Sequence, residues 1–225
     1  MDNLIKVTVN NIDDITPEKR HLVDELKIVG HFNSRTQISI LKSMCNTVNE
    51  GRRTGGRLSV LDLSQSDIMG YYHGDWGDLI DCLTLRKVTF PSYIDRIFAS
   101  TFSGCKSLEG IYIASGSRDL KRCYYIDIDG VLFSNNNMKL VLEKYPANKG
   151  TDYIVPEKTV TIRDNAFEDC QLTRLTMPPV PPTCDINAFK GVNIIAITLV
   201  VPKGSHDSYW LHPVFGKFQI EEMDE

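Results

Sequence analysis

One spacing constrains this chain more than any other: Phe102 follows Pro91 by eleven residues, and Phe167 follows Pro156, and Phe189 follows Pro178, by the same interval. Three residues beyond each Phe stand Cys105, Cys170 and Val192. Each Pro closes a short apolar run of the form L-x-x-L-x-L. The runs are Leu85/Val88/Phe90, Leu108/Ile111/Ile113, Leu172/Leu175/Met177 and Ala196/Leu199/Val201, with Gly150/Tyr153/Val155 as a weaker copy. Upstream, Val23/Leu26/Ile28 and Leu58/Leu61/Leu63 fit the same form. The steps between copies are 35, 27, 23, 42, 22 and 24 residues. The shorter ones fall in the leucine-rich-repeat range of roughly 20–29 residues, and the longest reads as one turn plus an insertion.

A repeat of this kind cannot bury its own apolar face. Stacking puts the leucine-type positions into a shared core and the x positions on an outer, concave sheet face. Seven rungs at about 4.8 Å each would span about 30 Å. Phe102, Phe167 and Phe189 are expected beneath the strands. The outward x positions are Asp62, Lys87, Thr89, Glu109, Tyr112, Arg174, Thr176 and Thr198. That mixed polar face suits protein contact better than an enclosed small-molecule pocket.

Two stretches depart from the repeat. Ile38, Leu41, Cys45 and Val48 sit at helical spacing, so residues 34–49 are expected as one amphipathic helix on the convex side with Ser34 as its N-cap. Residues 129–145 read as a β-hairpin turning at Ser134–Asn137. The alternation Ile5/Val7/Val9 predicts a strand covering the open N-terminal end of the solenoid. The expected fold is thus an α/β solenoid: a right-handed leucine-rich repeat with a parallel concave sheet, one N-terminal convex helix and an inserted β-hairpin. It forms a single domain over 1–225, with a capping segment at 1–22, repeats over 23–201 carrying insertions at 64–82 and 124–148, and a C-terminal cap at 202–225.

The composition agrees with a globular protein: 225 residues, 42% hydrophobic, 24% charged, net charge −4. No basic patch is present to neutralise phosphates, which argues against nucleic acid. No run approaches the ~18 apolar residues of a membrane-spanning helix. The six Cys (45, 82, 105, 123, 170, 184) contain no CxxC pair. They are expected as free, mostly buried thiols rather than a zinc site or a disulfide framework.

The matching pieces then resemble a family. Residues 97–105 and 162–170, which hold Ile97, Thr101, Phe102 and Cys105, and Ile162, Ala166, Phe167 and Cys170, are similar to the repeat heart of the bacterial leucine-rich-repeat surface proteins of the BspA type. The stretch from Asp129-Gly130-Val131 to Tyr145-Pro146-Ala147 is similar to that family's inserted hairpin. Pro181-Pro182-Thr183, Asn187-Ala188-Phe189 and Val201-Pro202-Lys203-Gly204 are similar to its C-terminal turns. The resemblance implies a surface-exposed or extracellular protein whose signal sequence has been removed. It also implies a non-catalytic module that binds a host or bacterial protein.

The binding residues expected are Tyr71, Tyr72 and Trp76 in the 65–81 excursion, with Asp62, Lys87, Glu109, Tyr112 and Arg174 on the sheet. Exposed aromatics bury much area with few rotors, which marks interfaces and sugar platforms. A carbohydrate-binding accessory of a surface glycan system is therefore the rival reading. A hydrolase with its site in this loop is a third reading, which requires His73, Asp75 and Asp78 to converge. A metal held by the same residues is set back by Gly74 and Gly77, which disfavour the helix needed to align its ligands. Asp127-Ile128-Asp129-Gly130 lacks the Glu that a calcium loop requires, so it reads as a turn. No cofactor and no metal is expected.

Overall fold

The computed structural model describes residues 4–49, 52–69, 79–92, 94, 97, 99–115, 124–136 and 139–224. Five parallel strands form the first sheet in chain order: β1 (Lys6–Val9), β2 (Glu25–Ile28), β3 (Val60–Asp62), β4 (Lys87–Phe90) and β5 (Gly110–Ile113). An antiparallel meander follows: β6 (Tyr125–Ile128), β7 (Val131–Asn136) and β8 (Lys139–Lys144). The chain then alternates between two sheets. β9 (Asp152–Ile154) begins a third sheet, and β10 (Thr159–Ile162) pairs in parallel with β8. β11 (Arg174–Thr176) lies on β9, and β12 (Thr183–Cys184) on β10. β13 (Thr198–Val201) and β14 (Gln219–Glu222) complete the third sheet, again in parallel.

The periodic residues are where the repeat places them. Leu26, Ile28, Leu61, Leu63, Val88, Phe90, Ile111, Leu175, Met177, Leu199 and Val201 are all buried. So are Phe102, Phe167 and Phe189, and the last two stack with ring centroids 4.8 Å apart. Burying each such side chain is worth about 2–3 kcal/mol. One slot is displaced: Ala196 is exposed and Ile197 is fully buried in its stead. The tight 3-10 turn Ile194–Ala196 advances the chain before β13.

A further element of the repeat emerges from backbone angles. The residue just before each Cys or Val slot is left-handed: Asp81 (φ 58°), Gly104 (φ 73°), Asp169 (φ 58°) and Gly191 (φ 76°). Cys82 therefore occupies the same slot as Cys105. Neighbouring turns stack tightly, with Asp81 N–H donating to Ser103 O at 2.9 Å and Asp169 N–H to Lys190 O at 3.1 Å. A Cβ on Gly104 would collide with the Asp81 carboxylate, and one on Gly191 with that of Asp169. Glycine is required there both by φ and by the close approach.

Helix α1 (Ser34–Met44) is shorter than its periodicity implies. Asn46, at φ 54°, breaks it, and Val48 is exposed in a two-residue strand paired with Arg52–Arg53. The cap is Asn33 rather than Ser34: its Oδ1 accepts the Thr36 amide at 3.4 Å, while Gln37 Oε1 accepts the Asn33 amide. The Gln37 side-chain amide in turn donates to Asn11 and Asp13, tying the helix to the N-terminal segment. Part of the 65–81 excursion is also regular, because Asp67–Met69 pairs in parallel with His31–Asn33.

The insertion is larger than a hairpin. β6 adds a third strand, joined to β7 through Asp129-Gly130, both at positive φ. Ser134, Asn135 and Asn136 are strand residues instead of a turn, and Ser134 pairs with Val141. Ser134 is buried, and its hydroxyl donates to Glu143 at 2.6 Å. Tyr125 is buried on β6. Its hydroxyl both accepts from and donates to the Ile97 backbone at 3.0 Å.

Candidate interaction surface

Parallel register brings the outward side chains of the first sheet into two rows. One row runs Lys6, Glu25, Val60, Lys87, Gly110, and the other Thr8, Lys27, Asp62, Thr89, Tyr112. Residues that face each other on adjacent strands interact. Lys6 meets Glu25 at 2.7 Å, and Lys27 meets Asp62 at 3.6 Å. Just ahead of the strands, Arg86 clasps Glu109 with two hydrogen bonds of 2.8 and 2.9 Å. The Lys87 ammonium stands 4.5 Å from the centre of the Tyr112 ring. Partial burial pushes the Asp62 carboxyl up, but hydrogen bonds from Ser64 and the Lys27 charge outweigh it and hold it below its ordinary range.

Tyr112 is less free than an exposed platform. Its ring lies over Gly110 of its own strand and over Gly130 of the insertion. Asp62, Lys87 and Tyr112 thus share one sheet face, with Glu109 just ahead of β5, while Arg174 belongs to the third sheet, facing Asp152 and Thr198 in register and meeting Glu221 at 3.6 Å. Tyr71, Tyr72 and Trp76 lie outside the described residues, as do His73, Asp75 and Asp78.

Between the first and third sheets runs a seam. The insertion closes the β5 side of it: Ile111 N–H donates to Gly130 O at 2.9 Å, and Ile113 N–H to Asp127 Oδ1 at 2.8 Å. On the β9 side lies a groove of about 450 Å³ lined by Asp129, Lys149, Asp152, Ile154, Arg174 and Thr176 among others. Lys149 is mostly buried and is held by Asp129 at 3.1 Å. The spacing of the repeat did not reveal this groove. Its signal was the 42-residue step, which marks where the regular sheet is interrupted.

Beneath the seam the meander is welded to the repeats by buried charge. Lys144, almost fully buried, donates to Asn165 O at 2.8 Å and lies 3.6 Å from Glu168. Glu168 also accepts from the Ser103 hydroxyl and meets Lys190 at 3.0 Å. Burial pulls the Lys144 amine below its ordinary value despite the Glu168 charge, and burial lifts Glu143. Among the described residues no group of three His, Cys, Asp or Glu is placed to hold a metal ion. Cys45, Cys82, Cys105, Cys170 and Cys184 are free thiols, all but the last of them buried.

Stacked parallel strands, a repeated Phe beneath them and a left-handed turn recurring at four rungs define a leucine-rich-repeat protein. Residues 79–140 and 145–209 match the model of the BspA type leucine rich repeat region in six copies, and the chain belongs to that family. Among solved structures, the chain is similar to a leucine-rich repeat protein from Eubacterium ventriosum, at 20% identity and TM-score 0.43 over 65% of this chain and 42% of that one. A leucine rich cell surface protein from Faecalibacterium prausnitzii matches at 14% identity and TM-score 0.39, over 99% of this chain and 74% of that one. The pneumococcal vaccine antigen PcpA matches at 9% identity and TM-score 0.28, over 98% and 79%. This chain therefore spans less than half the length of the Eubacterium protein. A search of curated proteins found no match.

Proposed function

We propose that this chain is a non-catalytic protein-binding module of a bacterial cell-surface protein. It engages a host or bacterial protein through the outer face of the first sheet, at Asp62, Lys87, Glu109 and Tyr112, through Arg174 on the third sheet, and through Tyr71, Tyr72 and Trp76 of the 65–81 segment. The observation that carries this reading is the register of the outward rows. Alternating charges are set on a rigid sheet by neighbouring strands, which is how a polar surface acquires a fixed pattern for a partner to match. In this reading the solenoid winds right-handed, with the first sheet as its concave wall and α1 on the convex side. The chain acts as one domain: the two apolar clusters meet at the adjacent residues Val131 and Leu132, and Asn148 N–H donates to Leu108 O at 2.8 Å. The resemblance of its repeats to bacterial surface proteins of the BspA type supports an extracellular or cell-surface location. Among the described residues no helix is long and apolar enough to cross a membrane.

The test is capture of partners from host-cell and bacterial surface extracts on the immobilised chain, followed by affinity measurement with the captured protein. Replacing Asp62, Lys87, Tyr112 and Arg174 by Ala in turn is expected to weaken binding about fivefold to tenfold each where they form the centre of contact. Unchanged affinity in all four variants removes the sheet face as the site. A thermal shift with oligosaccharides, abolished by Trp76→Ala, would favour the glycan-accessory reading instead.

A further inference from the structure

The seam has two edges and the insertion closes only one. In the parallel pair β9–β11, Arg174 N–H donates to Thr151 O and Val155 N–H to Thr176 O. Thr151, Tyr153 and Val155 therefore turn their ladder groups toward β11. The N–H and C=O of Asp152 and Ile154 point the opposite way, into the seam. Among the described residues none of these four groups has a backbone or side-chain partner. On the other bank, the amides of Ile111 and Ile113 are taken by Gly130 O and the Asp127 carboxylate. The groove of about 450 Å³ lies along the open edge.

We propose that this open edge of β9 takes up an extended segment of the partner protein by strand addition. The proposal rests on the protein-binding reading above and names the mode and place of contact. An unpaired sheet edge is a template for another strand, with main-chain hydrogen bonds giving affinity and alternate side chains giving specificity. β9 is three residues long, so its open edge offers room to pair with a short extended segment.

The neighbours define the guest. Asp152 and Ile154 are exposed and face outward, so the added strand places one side chain beside the Asp152 carboxylate and another beside Ile154, which is 72% exposed. Cross-strand complementarity calls for Lys or Arg at the first position and Val or Ile at the second, two residues on in a strand parallel to β9. The Asp129–Lys149 pair closes one wall and is already neutralised, so it adds no demand for charge.

A phage-displayed library of random linear peptides, selected on the full chain, provides the probe. The expected result is enrichment of Lys or Arg followed two residues later by Val or Ile. Ile154→Pro removes an N–H that the β9–β11 ladder does not use, so the fold is kept while peptide affinity falls about tenfold or more. Ile154→Val leaves affinity unchanged. Asp152→Lys leaves the main chain intact and shifts selection toward acidic peptides. In the free protein the Asp152 and Ile154 amides exchange with solvent faster than that of Tyr153, and peptide binding slows them. The proposal is overturned if those two amides are already protected, if no pattern is enriched, or if enriched peptides bind Ile154→Pro and Asp152→Lys as well as the parent. A captured partner that responds to Lys87→Ala but not to Ile154→Pro sinks strand addition while leaving the first-sheet reading standing. The reverse outcome does the opposite.

Discussion

The Asp127 carboxylate accepts the Ile113 amide at 2.8 Å and, with its second oxygen, the Gly130 amide at 3.3 Å. One side chain thereby finishes the edge of a five-stranded sheet and fixes the turn that interrupts it. A buried or half-buried amide left without its acceptor costs about 1–3 kcal/mol.

Asp127→Ala is therefore expected to destabilise the chain by about 2 kcal/mol in urea unfolding, with Asp127→Asn recovering part of the loss. Equal stability of Asp127→Ala and the parent would show that the seam does not need this carboxylate.

Glu168 carries a pH signature. Burial alone would raise its carboxyl, but hydrogen bonds from Ser103 and Lys190 and the Lys144 charge hold it below its ordinary value of 4.5. Between the folded and unfolded values the unfolded chain binds more protons, so stability rises with pH across that window. The contribution is fully present above about pH 4.5 and is lost as pH falls through the folded value. Glu168→Gln should cost about 2 kcal/mol at neutral pH, and its deficit relative to the parent should shrink in acid. A deficit independent of pH would rule out this ionic role.

The stacked left-handed turns predict an asymmetry between Gly and Ala. Gly191→Ala must place a Cβ at φ 76° against the Asp169 carboxylate, for an expected loss of about 1–2 kcal/mol. Adding Asp169→Ala removes the collision but not the backbone strain, so the double variant should recover only part of it. Thermal unfolding of the two single variants and the double measures both terms.

Thiol chemistry tests the core. Burial pushes the Cys170 thiol up to about 11 and that of Cys184 up to about 12. The described thiols are free, four of them buried, so a thiolate-seeking reagent should find all six Cys in guanidinium and label the native chain slowly. Fewer than six in the unreduced, unfolded chain would reveal a disulfide.

The repeat spacing alone located most of the inward residues, because a period of one strand per rung leaves the apolar positions no other place to go. It missed Ile197, one residue from the expected slot, since a local 3-10 turn shifts phase without altering the apolar pattern. It extended α1 to Val48, because apolar spacing continues past Asn46, whose left-handed angle ends the helix. The stack of Asp81 with Gly104 and of Asp169 with Gly191 left a trace in the sequence, an Asp or Gly before each slot. That trace became meaningful only with the backbone angles in hand.

For the candidate surface the division is sharper. Asp62, Lys87 and Tyr112 were readable as one face because side chains alternate along a strand and neighbouring rungs stay in register, whereas Glu109 lies ahead of β5 and is held by Arg86. Their ion pairs, and the Tyr112 ring folded over Gly110 and Gly130, depend on which strands become neighbours. By itself the sequence determined a stacked leucine-rich-repeat core, since its periodic residues can be buried only by one another. Only the tertiary structure decided that the insertion closes β5, while among the described residues β9 pairs on one side only. Hydrogen bonds across that seam join Ile113 to Asp127 and Ile111 to Gly130, and these contacts fall outside the repeat period, so no periodicity announces them.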